Sequence, residues 1–312
     1  MEKILVMDIG GTNVRCGAFH VDHEAQLLET YELETEKFGD LQGLIRGLKE
    51  GLPKDENYGA AIIGVAGPVY RGRTRPPNIP FEIRLKELRE GLRIHDVALL
   101  NDMVLYASFC LFSPEEGFIS INKRPRKRGS LCIMAPGTGF GVGFVLWLSK
   151  DHYRIVPSEG GHSPFPFREG EEAYLRYLRE QGIEASYDTV VSGKGIKRLY
   201  GFLNGKELRS EDIQAVLSEQ KMLSYAFSRF LGRAARHLAL TYLPYGGLFL
   251  GGGVLMKNPH LVLDREFRSE FRDSQKMKGL LRKIPLWLIN NPHATLWGGA
   301  WLYLNSRKYP LI

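Results

Sequence analysis

Seven residues, Met7-Asp8-Ile9-Gly10-Gly11-Thr12-Asn13, constrain this chain more than any other stretch. Before the glycines stands Ile4-Leu5-Val6, too short for a helix and β-branched enough for a buried strand. After them comes Val14-Arg15-Cys16-Gly17-Ala18-Phe19, a second strand-like run. The pattern predicts a tight hairpin with a glycine tip. Paired glycines remove Cβ from such a turn, so backbone N–H groups can approach an anion closely, and Thr12 and Asn13 can add polar contacts. Asp8, at the end of the first strand, can then hold a hydrated Mg²⁺ beside phosphates. Asp, Gly and Asn are also ordinary turn residues, so this hairpin alone leaves phosphate binding and a plain turn equally open.

The same layout recurs. Leu131 to Pro136 and Phe140 to Leu146 are apolar runs flanking Gly137-Thr138-Gly139, and two such loops predict two facing lobes. A third glycine turn, Gly251-Gly252-Gly253, follows Leu248-Phe249-Leu250 and could approach a nucleotide base or ribose. Neither a Walker loop nor a G-x-G-x-x-G fingerprint is present at the first turn.

At 312 residues and 44% hydrophobic, the chain exceeds the size at which single cores split, which again predicts two lobes. Cys16, Cys110 and Cys132 are odd in number, far apart and without C-x-x-C spacing. They read as reduced thiols of a cytoplasmic protein, with no zinc site. Only four apolar residues separate Lys3 from Asp8, too few for a secretory signal. The uncharged stretches 130–149 and 238–256 could span a bilayer by length, but Pro and several Gly in each suit strand and turn, so no membrane span is expected. Lys123-Arg124-Pro125-Arg126-Lys127-Arg128 carries five positive charges against a net of +7. A charge run between apolar strands reads first as a solvated hairpin tip, with polyanion binding or nucleotide steering as the alternative, and no nucleic-acid partner is expected.

Along the chain, Asp40 can cap a helix whose Leu41, Leu44, Ile45 and Leu48 share one face. Ala60 to Val65 reads as a buried strand, followed by an Arg- and Pro-rich loop that reaches Asn78. Leu85, Leu88 and Leu92 mark a second amphipathic helix. Val97-Ala98-Leu99-Leu100 is a short parallel-type strand with Asn101-Asp102 at its carboxyl end, where open α/β sheets place ligand groups. Further helices are expected over about 103–112, 171–180, 195–203, 223–243, 264–281 and from 294, with a strand over 285–289.

Asp102 is the sharpest candidate for chemistry, because a carboxylate at a strand end can take the proton of a substrate hydroxyl as that oxygen attacks phosphorus. Its plainer reading is the N-cap of the following helix. Glu159 and His162, three apart in a Gly-Gly turn, offer a carboxylate and an imidazole for sugar hydroxyls, although a lone histidine is more often a structural hydrogen-bond partner. Asp188 has the weakest case, as an Asp before the strand-like Thr189-Val190-Val191.

Together these stretches resemble the bacterial glucokinase family of sugar kinases. The matching segments are Asp8 to Asn13, Leu100-Asn101-Asp102, Pro136 to Gly139, Glu159-Gly160-Gly161-His162, Ser192-Gly193-Lys194-Gly195 and Gly251 to Gly253, with Asn291-Pro292 near the end. The resemblance implies the two-lobed α/β ribonuclease-H-like fold of the actin-like ATPases, with duplicated hairpin-plus-βα units around a cleft. It implies a small domain of residues 1–112 plus 294–312 and a large one of 113–293. It also implies ATP and Mg²⁺ as cofactors, a hexose substrate and Asp102 as the base. Asp8, Ile9, Gly10, Gly11, Thr12 and Asn13, with Gly137, Thr138 and Gly139, match the phosphate loops. Gly251, Gly252 and Gly253 match part of the adenosine site. Asn101, Asp102, Glu159, His162, Asp188 and, more weakly, Asn78 match the sugar ligands. Phe140 stands where the family has an aliphatic residue. Asp188 stands where it has a Glu, and this shorter carboxylate leaves the hexose open between glucose, mannose and an N-acetylated amino sugar. The cysteine-rich zinc loop of the related repressor, open-reading-frame and kinase family is absent, and no DNA-binding helices precede the first strand, so a sugar-responsive repressor is not expected. A non-catalytic sugar or nucleotide sensor is the other functional class, and a homodimer stays open.

Overall fold

The opening hairpin forms as its apolar runs dictate. Strand β1 (Glu2–Ile9) pairs antiparallel with β2 (Asn13–Val21) from Glu2–Val21 to Ile9–Val14, leaving Gly10, Gly11 and Thr12 as the tip. The computed structural model describes residues 2–52, 57–150 and 152–306. The chain divides into two compact units: Met1–Pro114, Leu148–Pro157 and His293–Ile312 in the first, Glu115–Trp147 and Ser158–Pro292 in the second.

In the first unit β3 (Ala25–Glu34) extends the hairpin, and helix α1 (Leu41–Gly51) begins where Asp40 Oδ1 accepts from Gly43 N at 2.6 Å. Strand β4 (Ala60–Val65) lies parallel to β1, a small ribbon of β5 (Arg73–Thr74) and β6 (Ile83–Arg84) leads into α2 (Leu85–Leu92), and β7 (Asp96–Asn101) lies parallel to β4. The sheet order is β3-β2-β1-β4-β7. Leu41, Leu44, Ile45, Leu48, Leu88 and Leu92 bury one face of it together with Leu5, Met7, Ile9 and Ile63. Helix α3 (Asp102–Phe112) covers the other face.

Strands β8 (Phe118–Ser120), β9 (Leu131–Pro136), β10 (Phe140–Ser149) and β11 (His152–Ser158) come next, followed by α4 (Glu172–Glu180), α5 (Tyr187–Val190), α6 (Gly193–Asn204), α7 (Ile213–Glu219) and α8 (Lys221–Tyr242). The remaining elements are β12 (Gly247–Leu250), α9 (Gly253–Lys257), α10 (His260–Leu263), α11 (Arg265–Phe271), α12 (Lys278–Leu281), β13 (Leu286–Ile289) and α13 (Ala294–Ser306). The second sheet runs β11-β10-β9-β12-β13-β8. Its β9–β10 hairpin is antiparallel and is followed by β12 and β13 in parallel, repeating the strand order of the first sheet, with β8 added antiparallel at the edge. Helix α13 packs within the first unit against α3 and β1. Its Gly298 makes this possible, because a Cβ there would overlap the Leu105 carbonyl of α3. Trp297 then meets Phe19 edge-on at 5.3 Å, and Trp301 stacks on Phe109 at 5.6 Å.

The sequence analysis has no counterpart of strand β3, all ten of whose residues are half or fully exposed, so no buried apolar run announces it. Two expectations need correction. The single helix expected over 264–281 is two, α11 and α12, because Ser274 Oγ accepts from Met277 N at 3.2 Å and sets a turn between them. Residues Tyr187–Val190 are helical, not extended: Ser186 and Thr189 form a capping box around α5 that overrides the β-branched run. The uncharged stretches 130–149 and 238–256 resolve into strands, turns and a helix end, and among the described residues no helix is long and apolar enough to cross a membrane.

Candidate active site

The first glycine tip is held from outside the hairpin. Gly10 N donates to Asn13 O at 2.9 Å, while Thr35, almost fully buried, donates its hydroxyl to Gly10 O and its amide to Thr12 O, both at 2.8 Å. Asn78 lies directly against the tip: a Cβ on Gly11 would stand 2.6 Å from Asn78 Cβ, so only glycine allows that approach. Asp8 is half-buried next to the tip, and its Oδ2 accepts from Thr295 Oγ1 of α13 at 2.8 Å. Burial raises the Asp8 pKa above the ordinary carboxylate value, against the lowering pull of the Thr295 hydrogen bond and of Arg15.

Asp102 opens α3, but the N-cap is Asn101, whose Oδ1 accepts from Met103 N at 3.0 Å. The capping role that sequence alone offers Asp102 therefore belongs to its neighbour. Asn101 also donates from Nδ2 to Gly67 O at 3.1 Å and is 6% exposed, so its amide braces the turn after β4 against the end of β7. Asp102 is half-buried at the first helical position, where the helix dipole favours an anion. Tyr106, one turn further along α3, lies within the field of both carboxylates: burial first, then Asp8 and more weakly Asp102 push its hydroxyl above the ordinary tyrosine range.

In the second unit the loop Gly137-Thr138-Gly139 is closed by Gly137 N to Gly139 O at 2.8 Å. It is tied to the start of α6 by Gly193 N to Gly137 O, also 2.8 Å. Asp188 Oδ1 accepts from Phe140 N at 2.8 Å, so this carboxylate anchors the end of the loop. Tyr187 stacks on Phe140 with ring centroids 5.8 Å apart. On the other side, a Cβ on Gly161 would collide with the Phe140 carbonyl, so the Glu159–His162 turn packs against the same residue because it carries glycine. His162 Nε2 stands 3.8 Å from Glu159 Oε2, both side chains exposed. The Glu159 pKa is raised by partial burial first and by Asp188, with His162 pulling it down. The fold thus brings Glu159, His162, Asp188 and the second glycine loop together. The third glycine turn adjoins them: Gly251 N donates to Met134 O at 2.9 Å, and Gly252, at φ 85°, adopts a backbone that L side chains rarely take before α9 begins at Gly253.

Two residues with a hand in the first site escaped the sequence analysis. Thr35 and Thr295 are single threonines far from the motif they brace, and Thr295 is 287 positions from Asp8. The only signal was Asn291-Pro292, which marks the start of α13 without naming its partner.

A family model described as glucokinase matches residues 5–306. The glucokinase of Trichormus variabilis is 29% identical over 339 aligned residues, covering 96% of this chain and 98% of that protein. The crystal structure of a glucokinase from an Antarctic psychrotroph superposes with a TM-score of 0.79 at 27% identity, covering 98% of this chain and all of that one. A ROK family glucokinase from Streptomyces griseus, solved with glucose and AMPPNP, shares the fold with a TM-score of 0.67 at 20% identity, covering 96% of this chain and 98% of that one. With a family match across nearly its whole length, on a duplicated fold in which Asp8 stands at the end of the first strand of one glycine-tipped hairpin and Asp188 of α5 anchors the loop of the other, this chain belongs to the glucokinase family.

Proposed function

We propose that this enzyme, a hexose kinase, transfers the γ-phosphoryl group of ATP to the 6-hydroxyl of glucose or a near relative, with Asp102 as general base. The observation that carries the base assignment is the division of labour at the start of α3, where Asn101 caps the helix and Asp102 sits half-buried at its first turn. A carboxylate there can accept the hydroxyl proton. Glu159, His162, Asp188, Asn101 and Asn78 would orient the sugar hydroxyls, and the amides of Gly10 to Asn13 and Gly137 to Gly139 would hold the phosphates. Gly251 to Gly253 would meet the adenosine. Cys16, Cys110 and Cys132 are buried and none is in a disulfide among the described residues, which supports a reducing, cytoplasmic setting.

Asp8 suits Mg²⁺. It is a hard carboxylate beside a phosphate-type loop, and among the described residues no group of three or more His, Cys, Asp or Glu could cage a metal. Such a site matches a cation held by one carboxylate, waters and the nucleotide phosphates. The ion would offset phosphate charge when bound. Asp8→Asn should raise the Mg²⁺ concentration for half-maximal rate by about 10–100-fold, as loss of an orienting partner does elsewhere. An unchanged Mg²⁺ titration removes Asp8 from the metal site.

Asp188 is expected to serve loop and sugar at once. Asp188→Asn keeps an acceptor for Phe140 N but loses the charge, so the KM for ATP should move by less than about threefold while the glucose KM rises about tenfold, the value of a hydrogen bond to a charged group. Asp188→Ala strands a backbone donor and should raise both. A glucose KM unaltered in Asp188→Asn takes Asp188 out of the sugar site.

The function itself is tested by coupled ADP release over a panel of glucose, mannose and N-acetylated amino sugars. Glucose binding without hexose-dependent ADP release would establish the sensor reading instead.

A further inference from the structure

Asp8 and Asp102 come from elements far apart in the sequence, and one residue without a side chain stands between them. Strand β4 lies between β1 and β7, and in its register Gly64 is the Cα partner of Asp8 on one side and of Leu100 on the other. Laterally paired residues of neighbouring strands present their side chains to the same face, so the Cβ that Gly64 lacks would stand on the Asp8 face of the sheet. Asp8 meets Thr295 of α13 on that face, and α3 packs there too. A Cβ on Gly64 would be 2.8 Å from Cδ2 of Leu105 and 3.2 Å from Cα of Asp102.

These two contacts differ in kind. The terminal methyl of a leucine can swing aside, whereas Cα of Asp102 is backbone in the first turn of α3. Backing the whole helix away would open its close packing on α13, where Gly298 is what admits the Leu105 carbonyl. A side chain at position 64 would therefore displace the first turn of α3, and Asp102 with it, by a few tenths of an ångström.

We propose that Gly64 is a positioning residue for phosphoryl transfer: by admitting the start of α3 to the sheet, it holds Asp102 close to Asp8 and to the glycine tip of the same unit. This role rests on the reading of Asp102 as the base. A general base works within about 2.6–3.2 Å of the group whose proton it takes, and a misplacement of about 1 Å can cost about 10²-fold, so tenths of an ångström register in kcat. Sugar affinity is spread over several other polar groups and is far less sensitive to that shift.

Gly64→Ala, Leu105→Val and the volume-conserving double variant Gly64→Ala/Leu105→Val are compared with wild type and with Asp102→Asn. Melting temperature, glucose Kd by calorimetry and hexose-dependent ADP release are measured for each. In the double variant the shorter valine relieves the side-chain contact but leaves the one with Asp102 Cα. It should melt within about 6 °C of wild type, bind glucose with a Kd within about twofold, and lose about tenfold or more in kcat. Leu105→Val alone should keep the wild-type kcat. A wild-type kcat in the double variant, alongside an inactive Asp102→Asn, overturns the role of Gly64 while leaving the base in place. A loss of glucose affinity as large as the loss of kcat overturns it too, since that marks general loosening, and so does a double variant that does not fold. The same kcat loss in Leu105→Val would assign the effect to Leu105 instead. Normal turnover in Asp102→Asn removes the base itself, and the positioning role with it, so the two failures are told apart.

Discussion

Asp102→Asn should be a folded, sugar-binding and nearly inactive protein. The carboxamide cannot take the hydroxyl proton, and general base catalysis is worth about 10²–10⁴-fold, so kcat should fall by that factor, about 3–5 kcal/mol of transition-state stabilisation. Sugar affinity should fall far less, because the amide still offers an acceptor oxygen. Stability should barely move. The cap hydrogen bond belongs to Asn101, and the charge of Asp102 at the positive end of the helix dipole is worth about 0.3–1 kcal/mol. Asn101→Ala supplies the contrast: it removes the cap and the tie to Gly67 O, costs about 0.5–2 kcal/mol of stability, and leaves the base chemically intact. Melting temperature, sugar Kd and kcat of the two variants separate the roles. Near-normal turnover in Asp102→Asn would end the base assignment and shift weight to a sensor.

That contrast also marks where sequence reading stops. Apolar runs with glycine tips are a period-2 signal interrupted by residues without Cβ, so the hairpins, their duplication and the strand ending at Asn101 were legible. Asp40 as the cap of α1 was legible for the same local reason. The identity of the cap on α3 was not: Asn and Asp are equally good acceptors, and only the backbone at Asn101, extended at φ −67° and ψ 140°, decides which of them lies outside the helix. The helical state of Tyr187–Val190 was lost to its β-branched residues, because a capping box on Ser186 outweighs propensity. Contacts such as Thr35 with Gly10, Thr295 with Asp8 and Asp188 with Phe140 have no periodicity at all. They arise when distant elements converge, and a one-dimensional pattern carries no record of that.

Glu270→Gln should cost about 3–5 kcal/mol of stability, the toll of breaking a buried ion pair from one side. The Glu270 side chain is 3% exposed and receives Arg233 Nε at 3.0 Å and Arg168 NH2 at 3.2 Å, with Arg229 at 3.5 Å and Arg236 at 3.6 Å. Neutralising it leaves Arg233, 1% exposed, with Glu171 as its remaining carboxylate, and places an amide NH₂ among guanidinium donors. For a unit of this size each kcal/mol is worth about 2–4 °C, so the melting temperature should drop by about 6–20 °C. The exposed pair Lys86–Glu90, 3.9 Å apart, is the control, and Lys86→Ala should shift stability by no more than about 1 kcal/mol. Acid should act on the same network. Burial pushes the Glu171 pKa up, but the Arg233 hydrogen bonds and charge bring it below the ordinary glutamate value. Its contribution is therefore complete above that ordinary value and is lost as pH falls through the lower folded one. The damage should reach the site, because Arg233 lies over Phe165 at 5.4 Å, Phe165 meets Tyr187 edge-on at 5.7 Å, and Tyr187 stacks on Phe140 beside Asp188. Tyr187 OH is also 2.9 Å from Nδ1 of His237, whose pKa burial and the neighbouring arginines lower to about 4, so the ring is neutral at assay pH. At a temperature where Glu270→Gln remains folded, the KM values for glucose and ATP should rise together while the Asp102 step persists. A melting temperature within about 2 °C of wild type would reduce the network to a surface feature with no hold on the second glycine loop.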